Sequence, residues 1–170
     1  MENENEKTLE EIMNMLELQE EILQFTHFTN DDAYTLGNFM VEEARKRDLK
    51  IAIRIMRNNG LCLFQYVSDG KTLANQKWLD RKHKVVLETE TSSLYLYAKL
   101  KKTERTMADV FMDEFEYANS GGGFPIRVED CGVIGSVCVS GMNHVADHDF
   151  VVKCLAKYLH TDEIPRIRKM

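Results

Sequence analysis

No apolar run in this chain approaches the roughly 20 residues that a membrane-spanning helix needs, so no membrane partner is expected. The start, Met1-Glu2-Asn3-Glu4-Asn5-Glu6, is the reverse of a basic signal-peptide start, which leads us to expect a cytoplasmic protein. Cysteine is sparse. The four, at 62, 131, 138 and 154, include no pair at the spacing of a zinc knuckle or a dithiol redox motif, so reduced thiols are expected. Cys138 alternates with valines, and Cys154 shares a helical stripe with Phe150, Val151, Leu155 and Tyr158; both read as packing residues. The chain also lacks a G-x-G-x-x-G or GK[ST] phosphate loop, an HExxH zinc motif, a Cys-x-x-Cys-His haem attachment and a nucleophile elbow. No internal repeat is present.

What is present is an ordinary globular composition, with 44% hydrophobic and 29% charged residues in a length of 170 that suits one domain. The formal charge of −6 is unevenly placed. Residues 1–24 hold eight of the 28 acidic residues and one of the 22 basic ones, so the rest of the chain is nearly neutral. Residues 1–25 therefore read as an acidic helical extension, 26–162 as the domain and 163–170 as a basic tail. The acidic end would repel phosphates. The basic clusters at Arg45-Lys46-Arg47, Lys77 to Lys84 and Lys99 to Arg105 read as solvated helix faces, so nucleic acid is not an expected partner.

Hydrophobic spacing orders the elements. Leu9, Ile12, Met13 and Leu16 mark a first helix from Glu6 to Ile22. Leu23 to Phe28 reads as a short strand. Thr29 and Asp32 form a capping-box variant opening a helix to Arg47. Strands at 50–56 and 62–66 flank the Asn58-Asn59-Gly60 turn, a hairpin signal. Residues 73–100 read as a helix broken near Thr89 to Ser93, and Thr106 to Phe115 as a short helix. Two more strands, 124–128 and 131–141, precede a last helix opened by Asp147 after a loop at 142–147. The expected class is α+β, with an antiparallel sheet flanked by helices.

Two segments could carry a ligand. The triple glycine Gly121-Gly122-Gly123, followed by Phe124, lets backbone approach a ligand and aim N–H groups at an anion; it also reads as a plain turn. Asn75, Trp78 and Lys82 share one helix face, where an amide, an indole and an ammonium suit a small anion. The competing reading puts Trp78 in the core and Lys82 in solvent. Arg81, Ser92 and Ser93 complete the candidate wall. Asp147-His148 invites acid–base chemistry and His144/His148 a metal pair, but a loop at 142–147 would not fix that geometry, and no metal is expected.

Several motifs together resemble one family. They are Phe28-Thr29-Asn30-Asp31-Asp32-Ala33 with Leu36-Gly37, Lys50-Ile51-Ala52-Ile53 with Leu63-Phe64, Asn75-x-x-Trp78-Leu79-x-Arg81-Lys82 and Ser92-Ser93-Leu94-Tyr95. Gly121-Gly122-Gly123-Phe124-Pro125-Ile126, Gly132-Val133-Ile134-Gly135 and Val139-Ser140-Gly141 leading to Asp147-His148 follow. Over about residues 26–160 this order is similar to the haem-degrading domain family, in its cytoplasmic branch. The resemblance implies a profilin-like three-layer α/β/α fold with a five-stranded antiparallel sheet, and a homo-oligomer built from dimers. It makes haem a possible cofactor, although none is required by the sequence; an axial imidazole would come from His83, His144 or His148. Where relatives often carry His before Ser-Ser and Gly-Gly, this chain has Thr91 and Ser120. The expected function is a small-anion binding module, with haem binding or degradation as the alternative.

Overall fold

The structure, a computed structural model, describes residues 7–170. Helix α1 (Leu9–Ile22) opens on a capping box in which Thr8 Oγ1 accepts the Glu11 N–H and the Glu11 carboxylate accepts the Thr8 N–H. It begins later than the expected Glu6, which lies outside the described residues. Thr29 and Asp32 form the same box for α2 (Asn30–Lys46). The hairpin follows as β1 (Ala52–Arg57) and β2 (Cys62–Val67), then α3 (Leu73–Thr89) and α4 (Ser93–Thr103). The break between these helices comes where Glu90 turns left-handed and Ser92 caps α4 through its hydroxyl. Of the short helix expected at Thr106 to Phe115, only a 3-10 turn at Ala108–Val110 forms. Strands β3 (Gly123–Val128) and β4 (Gly132–Ser140) and helix α5 (His144–Tyr158) complete the chain. None of the described helices is long and apolar enough to cross a membrane.

The sheet has four antiparallel strands in the order β2-β1-β4-β3, not five. The fifth, expected at Leu23 to Phe28, shrinks to a single parallel bridge between Phe25 and Val128. Phe25 N–H donates to Arg127 O and Phe25 O accepts the Glu129 N–H. The alternation that suggested a strand stops there, because Thr26 and His27 are both exposed and Thr29 already caps α2.

Alternation along β1 and β4 sorts the two faces. Ile53, Ile55, Val137 and Val139 join Phe124 and Ile126 under α2 and α5 in the main core. The opposite face carries Ala52, Arg54, Ser136, Cys138 and Ser140, and Leu79 of α3 packs there on Ala52 and Cys138. Small side chains let α3 lie close to the strands, which places its polar residues against β4. Cys138 and Cys154 are buried as expected, and burial pushes their thiols up to about 11 and about 12, so neither is a thiolate at neutral pH.

Helix α1 packs through Ile12 and Leu16 on Leu94, Ala98, Val145 and Ile167. Beside this contact Glu20 is buried and accepts the Ser92 N–H at the start of α4. Burial raises its carboxyl from 4.5 to about 7, against the opposing pull of Ser92 and Arg127. A raised carboxyl supports the fold fully below about 4.5, and that support fades as the pH rises through about 7. Glu20→Gln keeps an acceptor for Ser92. It is expected to raise stability at pH 8 by about 2 kcal/mol and to flatten the pH dependence of the melting temperature across this window. An unchanged pH profile would show that Glu20 does not titrate in the fold.

Candidate functional site

Lys82 and Asp147 form a buried ion pair on the α3 face of the sheet, with side chains 2% and 3% exposed. Lys82 Nζ donates to Asp147 Oδ2 at 2.9 Å and to Val139 O at 2.7 Å. Asp147 Oδ1 accepts the Met142 N–H at 3.0 Å. An ammonium has three N–H groups, and the third of Lys82 has no acceptor among the described residues. Burial raises the Asp147 carboxyl above its ordinary value, opposed by Lys82 and the Met142 N–H.

The pair sits in the wall of a cavity of about 270 Å³ lined by Asn75, Trp78, Lys82, Ser120, Ser140, Gly141, Met142, His144 and Asp147. Asn75 closes the capping box of α3 and donates to Ser140 Oγ at 3.4 Å, so one amide ties the helix start to the end of β4. His144 accepts the Gly121 N–H at Nδ1 (3.1 Å), which places its proton on Nε2. Burial, then the charges of Lys82 and Lys101, holds its imidazole below the ordinary value. The cavity thus offers an indole wall, an amide, two hydroxyls, a neutral imidazole and one unspent ammonium proton. Such a set is chemically complementary to a small acceptor-rich group.

The structure reverses the reading that put Trp78 in the core and Lys82 in solvent. Trp78 is 40% exposed, with the Arg81 guanidinium stacked 4.4 Å above its ring, and Lys82 is buried in the cavity wall. Arg81 leaves the cavity, donating to the carbonyls of Glu114 and Tyr117 in the neighbouring groove. The triple glycine and the paired serines stand behind the wall. Gly121 holds His144; Gly122 accepts the Val139 N–H; the Gly123 N–H donates to Ser93 Oγ at 2.9 Å. Ser92 caps α4, and Phe124 belongs to the core on the other face.

Helix α5 starts at His144 under an Asn143 cap, not at Asp147, and this frees Asp147 for Lys82. His144 and His148 consequently do lie one turn apart on a helix, but they serve different partners. His148 Nε2 donates to Gln19 Oε1 at 2.8 Å, and burial pushes its imidazole down to about 3. His83 bonds Ser136 Oγ at 2.6 Å, and burial, then Arg54, holds it below its ordinary value. No cluster of metal-binding side chains occurs among the described residues. Ser120, Ser140, Gly141, Met142, His144 and Asp147 are the lining residues absent from the expected set.

A family model described as "Haem degrading protein HbpS-like" matches residues 28–156. The chain belongs to the HbpS-like family. Among its relatives is a UPF0303 protein of Streptomyces avermitilis, 41% identical over 145 residues that cover 85% of this chain and 88% of the relative. The solved structure of Ybr137w protein superposes with a TM-score of 0.81 at 30% identity, covering 87% of each chain. A PduOC:heme complex gives 0.63 at 16% identity, over 76% of this chain and 93% of that one, a likeness of fold alone. The HbpS-like match spans both halves of the cavity, from Asn75 on α3 to Asp147 on α5.

Proposed function

We propose that the protein is a small-anion binding module whose ligand enters beside Trp78 and accepts the third N–H of Lys82. The unspent, buried ammonium proton in a polar cavity carries this reading. His144 Nε2–H and the hydroxyls of Ser120 and Ser140 supply further donors, and the ligand must be small, since drug-sized ligands occupy about 300–1,000 Å³. A thermal-shift panel of small carboxylates and phosphates checks it. A matching anion at 100 times its Kd stabilises by about 2.7 kcal/mol, and Trp78→Ala weakens the response. A flat response to the whole panel overturns the reading.

The family supports a second reading, haem. The described residues of one chain do not fit an enclosed porphyrin: the cavity is small, and its wall holds a buried ion pair. His83 and His148 are sealed and committed to Ser136 and Gln19, leaving His144 as the one of the three candidate imidazoles that reaches the cavity. The same panel therefore includes hemin. A sharp Soret band abolished by His144→Ala favours haem over the anion.

We also propose that the protein self-associates. A groove of about 800 Å³ runs between α3 and residues 114–116 and is lined by Phe115, 89% exposed, with Phe111, 95% exposed, four residues earlier in the chain. Its α3 wall brings Lys77, Asp80, Arg81 and Lys84 and the opposite wall Glu114 and Glu116, with Lys84 paired to Glu116 within the chain. A two-fold related second copy covers the two exposed rings. Light scattering is expected to give a multiple of 19.7 kDa, and Phe111→Ser/Phe115→Ser to reduce it to one chain. A wild-type mass of one chain at micromolar concentration rules this out.

A further inference from the structure

The arrangement around Lys82 is unusual for a purely structural contact. A buried ion pair contributes little net stability, because desolvation of both groups offsets their attraction, and this one is not sealed in the core but forms part of a cavity wall. An amine at such a place has a partner that can take its proton, Asp147 Oδ2 at 2.9 Å, and both groups line the cavity. Gly122 lets the backbone pack directly against the amine from behind, since a Cβ there would stand 2.7 Å from Nζ. A neutral imidazole, His144, shares the same cavity.

We propose that Lys82 captures the carbonyl group of a small aldehyde or 2-oxo acid as an imine, with Asp147 as its proton partner. The inference rests on the cavity of the anion-binding reading and, with the 2-oxo acids, names its ligand class. Lys82 passes a proton to Asp147, and the freed lone pair attacks the carbonyl carbon, forming a C–N bond. The carbonyl oxygen takes up the proton now held by Asp147, giving a carbinolamine, and a second proton from the nitrogen lets that oxygen leave as water. The nitrogen keeps one proton, so ammonium plus carbonyl become iminium plus water and the Asp147 carboxylate is restored. Asp147 shuttles the first proton, and His144, proton on Nε2, stands ready to hydrogen-bond the oxygen as it departs. Indole and hydroxyl walls hold the rest of the molecule.

The test uses the wild-type protein with pyruvate and with acetaldehyde, each in the presence of cyanoborohydride, which supplies hydride to any imine and fixes it as a stable secondary amine. Peptide mapping by mass spectrometry then compares labelling of Lys82 with that of Lys77 and Lys84, which border the neighbouring groove. Lys82 is expected to be labelled at least ten-fold faster with one of the two probes. In Asp147→Asn, confirmed as folded by its melting curve, that preference should fall to the level of the other two lysines. Labelling of Lys82 no faster than theirs with both probes overturns the proposal. Lactate, which matches pyruvate in size but has no carbonyl, separates this from the reading beneath it. Stabilisation by lactate without Lys82 labelling leaves anion binding standing and removes the imine.

Discussion

Lys82→Met is expected to cost about 3–5 kcal/mol of stability, read from the urea midpoint at constant slope. The substitution keeps the apolar stem but leaves Asp147, 3% exposed, as a charge without its partner, and it strips Val139 O of a donor. Removing both charges together, in Lys82→Met/Asp147→Leu, should recover much of that loss, because two apolar groups have no desolvation cost to offset. Recovery stays incomplete, since the Met142 N–H loses its acceptor. Neither variant should keep a ligand-dependent thermal shift. A single variant as stable as the parent would mean that Asp147 is already neutral in the fold.

The second large effect belongs to Gly122. Its φ of +118° lies where side chains are strained, and a Cβ would meet Val139 O at 2.5 Å, Lys82 Nζ at 2.7 Å and Asp147 Cβ at 3.0 Å. Gly122→Ala therefore combines backbone strain with overpacking, for an expected loss of about 2–5 kcal/mol. Gly60→Ala is the control. Its φ of +89° is also positive, but nothing lies within 4 Å of the added Cβ, so about 1–2 kcal/mol is expected. Equal losses at the two positions would show that the crowding around Lys82 contributes nothing.

Much of the fold was legible because its signals are local. The Asn58-Asn59-Gly60 turn, the Thr29–Asp32 box and the break at Thr89 to Ser93 each act within a few residues, and each produced the element expected. The strand at Leu23 to Phe28 failed because three alternating positions cannot show where the alternation stops. The cavity was half legible. Asn75, Trp78 and Lys82 share a helix face, which spacing reveals, whereas the partner of Lys82 lies 65 residues away on another element. An aspartate near the start of a helix reads as its cap. Asn143 holds that post, and nothing local told the two apart.

The contact between α1 and residues 148–167 has a consequence for how the protein folds as it is made. Gln19 on α1 donates to Pro165 O and accepts from His148, and Ile12 and Leu16 close on Ile167. Helix α1 is synthesised well before those partners, so its apolar stripe is uncovered until α4 and then α5 follow it. Its acidic remainder supplies like charges that repel neighbouring copies, so such a nascent segment is expected to stay dissolved until its partners arrive.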